Sequence, residues 1–335
     1  MNFLRKLLFP FAILYGGITS LRNYFYEKGW LKSTRFDIPV ICVGNLSVGG
    51  TGKSPMIEYL IELLKDDYRV AVLSRGYGRN TKGFRLVEEH SLAEEVGDEP
   101  LQFKQKFPGV TVAVCEARTA GIPKLMSKAE VILLDDAFQH RKVKASRYIL
   151  LTPYDDLFMN DYMLPTGNLR EPRSGASRAD IILVTKCPPR VPYANMQQVE
   201  FDMPIQSHQK LYFSKISYDD TIYGVSETQP LSYLKNKSFT LVTGIANPQP
   251  LVEFLKDEEL EFKHENFKDH HNFTSAEIEQ LKENELILTT EKDYMRLYPK
   301  LDKFALYYLP IRTKILRDQG VFFDETIQAM IRKDR

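Results

Sequence analysis

Short apolar runs alternate with amphipathic segments from residue 38 to about 186. The runs lie at 40–43, 70–73, 110–114, 131–134, 148–151 and 181–184. Continuous apolar runs of this length fit strands buried on both faces. Their alternation with helical patterns predicts a parallel sheet with helices on both sides. After Cys187-Pro188-Pro189-Arg190-Val191-Pro192, a breaker cluster, the texture changes. A second α/β unit starts near Ser238, with strands predicted at 239–242, 286–288 and 306–309 and a helix at 248–255. Thr274-Ser275-Ala276-Glu277 reads as a capping box opening a further helix.

The N-terminus carries a third pattern. Leu4, Leu7, Leu8, Phe11, Leu14, Ile18 and Leu21 recur at helical spacing on one apolar face, among Arg5, Lys6, Arg22, Lys28, Lys32 and Arg35. The uninterrupted apolar stretch from Leu7 to Ile18 is shorter than the roughly 20 residues a bilayer span needs. No small-x-small cleavage site follows it, which disfavours a signal peptide. A helix packed on the core is one reading. A basic, amphipathic helix lying in a membrane interface is the preferred one. The expected organisation is a membrane-associated helix over 1–32, a nucleotide-binding domain over 33–212 and a smaller α/β domain over 213–335.

Composition narrows the picture little. The chain has 335 residues, 43% apolar, with a formal net charge of +1, so nothing in the overall balance suggests a nucleic-acid binder. Cys42, Cys115 and Cys187 are scattered and odd in number, which argues against a disulfide framework. They read as core residues.

The candidate chemistry sits at strand ends. After the first run comes Ser47-Val48-Gly49-Gly50-Thr51-Gly52-Lys53-Ser54, leading into the apolar helix pattern from Met56. Strand, glycine turn, Lys-Ser and helix form a phosphate cradle. Backbone N–H groups and the helix N-terminus meet phosphate oxygens, Lys53 neutralises charge and Ser54 can hold Mg²⁺. Ser47 stands where the usual spacing has glycine. Asp135-Asp136 ends the 131–134 strand, where an acid in such folds holds Mg²⁺. Arg170-Glu171, within Leu164-Pro165-Thr166-Gly167-Asn168-Leu169-Arg170-Glu171-Pro172, joins an arginine suited to phosphoryl charge to an adjacent acid, or forms a surface ion pair. Gly97-Asp98-Glu99-Pro100, Ser74-Arg75-Gly76-Tyr77-Gly78-Arg79 and the basic 139–144 stretch are further loop candidates. Asp269-His270-His271 is the densest histidine site, suited to orienting or base work more than to zinc. Thr185-Lys186-Cys187-Pro188 occupies the place of a guanine-reading Asn-Lys-x-Asp and lacks its carboxylate, which favours ATP over GTP.

Taken in order, the 44–55 loop, 74–78, 97–100, Asp135-Asp136 with Gln139-His140, 164–172, 243–248, Asp269-His270 and Thr290-Glu291-Lys292-Asp293 resemble the tetraacyldisaccharide 4′-kinase family. The resemblance implies transfer of the ATP γ-phosphoryl group to the 4′-hydroxyl of tetraacyldisaccharide 1-phosphate, forming lipid IVA. It implies a monotopic enzyme on the cytoplasmic face of the inner membrane, with a lipid substrate and no evident obligate protein partner. It implies Asp98 as base paired with His270, and Lys53 and Ser54 on phosphate and Mg²⁺. Asp135 and Asp136 become a second acidic motif, and Arg170 and Glu171 a charge-stabilising and metal-organising pair. Two other classes make different demands on the sequence. A GTPase or ATPase that matures a metalloenzyme should show the guanine motif and metal-binding His or Cys sets. A non-catalytic membrane module should have lost Asp98, Asp135, Asp136 and His270.

Overall fold

The computed structural model describes residues 5, 7–225, 227–269, 271–301 and 305–334. Among the described residues, fifteen strands build two sheets. The first sheet uses β1 (Val40–Asn45), β2 (Val70–Ser74), β3 (Arg85–Leu86), β4 (Thr111–Val114), β5 (Val131–Asp135), β6 (Arg147–Pro153), β7 (Ile181–Thr185) and β8 (Lys210–Tyr218). The second uses β9 (Thr221–Tyr223), β10 (Thr228–Pro230), β11 (Thr240–Thr243), β12 (Lys263–Asn266), β13 (Ile287–Thr290) and β14 (Leu306–Leu309). The last strand, β15 (Ile311–Ile315), returns to the first sheet, whose order is β15-β8-β7-β6-β1-β5-β2-β4-β3.

The interior of that sheet is parallel, and its two outermost pairs, β15 with β8 and β3 with β4, are antiparallel. β1 lies between β5 and β6, with Val40 opposite Ile132 and Ile41 opposite Arg147. Its carboxyl end therefore opens at the switch point where ligands bind in such sheets. Residues of β1, β2, β5 and β7 are buried throughout, as their unbroken apolar runs require.

Ten α-helices among the described residues complete the fold: α1 (Phe9–Glu27), α2 (Lys53–Leu64), α3 (Ala93–Val96), α4 (Asp98–Lys106), α5 (Arg118–Leu125), α6 (Tyr193–Asp202), α7 (Gln249–Asp257), α8 (Ser275–Leu281), α9 (Glu291–Leu297) and α10 (Gly320–Asp334). α2 presents Met56, Ile57, Leu60, Ile61 and Leu64 to the sheet, all fully buried. Each such side chain contributes about 1.5–3 kcal/mol. The same apolar cluster continues through Val242, Ile287, Tyr294 and Leu306 of the second unit and Phe323 and Ile327 of α10. The division at 213 read from the sequence follows chain order. Strand pairing instead puts 311–315 beside β8, and α10 against Tyr59 and Tyr212 of the first unit.

The N-terminal helix inverts the usual arrangement. Its buried residues are Ala12, Thr19 and Asn23, whereas Ile13, Leu14, Ile18 and Leu21 are each more than half exposed. No helix of the described residues is long and apolar enough to cross a membrane.

Candidate active site

The loop after β1 is braced from outside and open toward its own amides. Val48 N–H donates to the Asn168 carbonyl at 2.8 Å, and the Thr185 hydroxyl donates to the Thr51 carbonyl at 2.8 Å. The left-handed turns fall at Gly49 (φ 111°) and Gly52 (φ 88°), so Ser47 sits in the loop without strain. Among the described residues, no acceptor takes the N–H groups of Gly49, Gly50, Thr51 or Gly52. Unpaired amides ahead of a helix N-terminus make an anion cradle. Gly44 is needed for a different reason: a Cβ there would lie 2.6 Å from Cβ of Phe138, just past the acid pair.

Lys53 Nζ reaches Asp136 at 3.8 Å and the Asn45 side-chain oxygen at 3.5 Å. Arg170 donates to both Asp136 oxygens, at 2.9 and 3.3 Å, and also to the Asn45 side chain. Burial works against charge on Asp136, but Lys53, Arg170 and Arg118 outweigh it and hold the carboxyl below its usual range. Asp135 behaves oppositely. Its side chain accepts from the Ser74 hydroxyl at 2.8 Å. Burial, then Asp136 and Glu99, push it up to about 6. Two adjacent acids are thus driven apart by their surroundings.

Further cations converge on the loop. Lys186, at φ 56°, puts Nζ 3.8 Å from where a Gly50 Cβ would lie. Desolvation, then Lys292 and Lys53, lower its affinity for a proton. Lys292 comes from α9 in the second unit and pairs with Glu99 at 2.7 Å. A bound polyanion would relieve this mutual repulsion.

Asp98 opens α4 directly after Gly97 and accepts a hydrogen bond from Arg296 of α9. Arg296 also reaches Asp293 at 3.4 Å. Asp293 is buried, accepting from Gly244 N–H at 2.8 Å and Thr290 at 2.7 Å. The Thr290-Glu291-Lys292-Asp293 and Thr243–Pro248 motifs are therefore tied together, and α9 is aimed at Asp98. Lys106 spans the same junction, 2.6 Å from Glu58 and 2.7 Å from Glu291.

Other expected residues are placed differently. His270 lies outside the described residues. Its neighbour His271 is 3.0 Å from Glu277 and stacks on Phe267, a packing role. Glu171 is buried, and its two oxygens accept from Arg178 at 2.9 and 2.8 Å, Gln139 at 2.8 Å and Asn23 at 3.1 Å. Three donor nitrogens surround the carboxylate, Arg178 Nη2 being shared between both oxygens, and compete with a metal for its lone pairs. Arg79 is held by the Gly83 carbonyl of its own loop at 2.7 Å and by Glu116, just after β4, at 2.6 Å. The three cysteines are buried and free. Arg296, Lys292 and Asn45 were not singled out as site residues from the sequence.

A family model for LpxK, tetraacyldisaccharide-1-P 4′-kinase, matches residues 4–332. The chain belongs to this family. It is an ATP-dependent 4′-kinase of lipid A biosynthesis. The tetraacyldisaccharide 4′-kinase of Flavobacterium johnsoniae is 53% identical over 100% of this chain and 99% of the relative. That of Bacteroides thetaiotaomicron is 43% identical, covering 99% of this chain and 94% of the relative. The "apo" form of LpxK from Aquifex aeolicus, solved in complex with ATP, superposes with a TM-score of 0.80. It has 33% sequence identity, and the match covers 98% of this chain and 99% of that one.

Proposed function

We propose that the loop amides, Lys53 and Arg170 of this 4′-kinase hold the ATP phosphates, and that Asp98 accepts the proton of the 4′-hydroxyl. The unpaired amides of residues 49–52 beside Lys53 carry the reading. Asp98 opens α4 next to Glu99, whose partner Lys292 is one of the cations gathered at the loop. A sugar hydroxyl is a weak nucleophile at neutral pH, and a carboxylate in reach can take its proton as the new O–P bond forms. Lys53 and Arg170 stabilise charge on the phosphoryl oxygens, where one lost contact raises the barrier by about 3–4 kcal/mol. Arg296 anchors the Asp98 carboxylate through a charge-assisted hydrogen bond.

The acid pair fits Mg²⁺. Asp135 is a buried carboxylate that accepts from the Ser74 hydroxyl, and the Ser54 hydroxyl has no partner among the described residues. Magnesium bound with ATP commonly uses one or two carboxylates and completes its shell with phosphate and water. Bound there, it would neutralise charge on the phosphates. Asp136, already paired with Lys53 and Arg170, keeps those cations aligned. Glu171 is a structural clamp in this assignment.

The outward apolar face of α1 fits a lipid surface. A contiguous exposed patch of this kind marks an interaction site, and the acceptor substrate is itself lodged in a bilayer. With ATP as donor, the working face is the cytoplasmic side of the inner membrane. ATP binding by titration calorimetry separates the roles. Lys53→Met should weaken binding about tenfold or more, whereas Asp98→Asn should leave it within about twofold. Equal losses in both variants would overturn the division between donor site and base.

A further inference from the structure

Helix α1 meets the body of the protein through polar contacts that land on catalytic segments. Tyr15 donates its hydroxyl hydrogen to the Arg170 carbonyl at 2.9 Å. Asn23 donates to Glu171 at 3.1 Å, and Arg22 to the Gln139 carbonyl at 2.7 Å. Ahead of the helix, Arg5 donates to the Gly167 carbonyl and the Asn168 side chain, both at 3.2 Å. These contacts reach the 167–171 segment and Gln139, separated from the helix by more than a hundred residues.

From Asn23 a line of hydrogen bonds runs inward. Glu171 accepts from Asn23 and from Gln139, the latter at 2.8 Å. The Gln139 amide also donates to the Asn45 carbonyl at 2.7 Å. Asn45 in turn meets Arg170 and Lys53 through its side-chain oxygen. Every member between the helix and Lys53 is buried or half-buried. Asn23 and Thr19 face inward while Leu14 and Ile18 face out. That is a costly choice of residues for a helix whose sole task is attachment. Hydrogen bonds to a buried carboxylate are strong and directional, and removing one leaves the charge short of a donor.

We propose that Asn23 and Tyr15 are positioning residues for phosphoryl transfer. Docking of α1 sets the backbone at Arg170. Through Glu171 and Gln139 it also sets Asn45 at the mouth of the phosphate loop. The helix that faces the membrane is then part of the frame of the active site, and turnover depends on its contacts as well as on attachment. This rests on the assignment of Lys53 and Arg170 to the phosphates.

The test uses the full chain, γ-³²P-labelled ATP and tetraacyldisaccharide 1-phosphate in mixed detergent micelles, where attachment does not limit encounter. Asn23→Leu should lower kcat about tenfold, the weight of one hydrogen bond to a charged group, and Tyr15→Phe about threefold. Asn23→Gln, which keeps an amide donor, should recover part of the Asn23→Leu loss. KM for the lipid, flotation with phosphatidylglycerol vesicles and melting temperature should stay at wild-type values in Tyr15→Phe. If Asn23→Leu does not fold, Tyr15→Phe decides, because it removes one hydroxyl from a half-buried ring. Wild-type kcat in both variants would overturn the proposal, as would losses that only track vesicle binding. A wild-type chain that labels no lipid would overturn the functional reading beneath it.

Discussion

Arg296 of the second unit donates a hydrogen bond to the carboxylate of Asp98 in the first, across 198 positions of sequence. The contact makes the orientation of the proposed base depend on how α9 packs against α4. Arg296→Gln should therefore reduce kcat by about tenfold while leaving ATP affinity intact, because a charge-assisted bond is exchanged for a weaker neutral one. Steady-state kinetics at saturating lipid measure it. A kcat equal to wild type would show that Asp98 is oriented without Arg296.

Asp135 links function to pH. Its carboxyl is held up to about 6 in the folded chain against 3.8 as the reference value. A raised acid contributes stability that is full below the unfolded pKa and is lost as pH rises through the folded one. In metal-free protein, stability from this group should fall between about pH 4 and pH 6, by up to about 3 kcal/mol. Asp135→Asn should lack that decline and melt above wild type at pH 8, while losing magnesium-supported turnover. Thermal melts across pH 4–8 in chelator decide it, and parallel curves for both proteins would contradict the assignment.

Lys106 lies between two buried glutamates that are each 5% exposed, Glu58 and Glu291. Burial and Glu291 push the Glu58 carboxyl upward, and Lys106 pulls it back. Lys106→Met leaves two like charges facing each other without a cation. The expected destabilisation is about 3–5 kcal/mol, the range for a broken buried pair. Denaturant unfolding measures it, and a loss below about 1 kcal/mol would place this triad with weakly contributing surface pairs.

Leu14 and Ile18 are 63% and 60% exposed on the outer face of α1. Replacing both by Glu should abolish flotation with anionic vesicles, since each buried apolar side chain contributes about 1.5–3 kcal/mol. The melting temperature should hardly move, because neither side chain packs on the body of the protein. Undiminished flotation would remove the membrane role of this face.

Much of this was legible in the chain, for identifiable reasons. Strands such as Val70–Ser74 and Val131–Asp135 are buried on both faces and leave unbroken apolar runs. Lys53, Ser54, Asp135 and Asp136 stand next to strand ends, so local pattern places them. Strand Lys263–Asn266 escaped because an edge strand with exposed polar residues has no apolar signature. Ile311–Ile315 escaped because its partner, β8, is about a hundred residues away. The Asp98–Arg296 and Asn23–Glu171 contacts have no local sequence signal at all, since they exist only once the two units and α1 are packed together. The membrane-interface reading of α1 already turned its apolar face outward, whereas the inward contacts of Asn23 and Tyr15 had no local signal.

The account turns on Asp98 as the base for a hydroxyl that receives the γ-phosphoryl group at the Lys53 loop. Single-turnover transfer of ³²P from ATP to tetraacyldisaccharide 1-phosphate, by wild type and Asp98→Asn with ATP prebound, tests this most directly. Wild type should label the lipid at its 4′ position, and Asp98→Asn should do so at least about a hundredfold more slowly. A variant rate within about twofold of wild type would contradict a base that supplies the roughly hundredfold or greater factor expected of such a group.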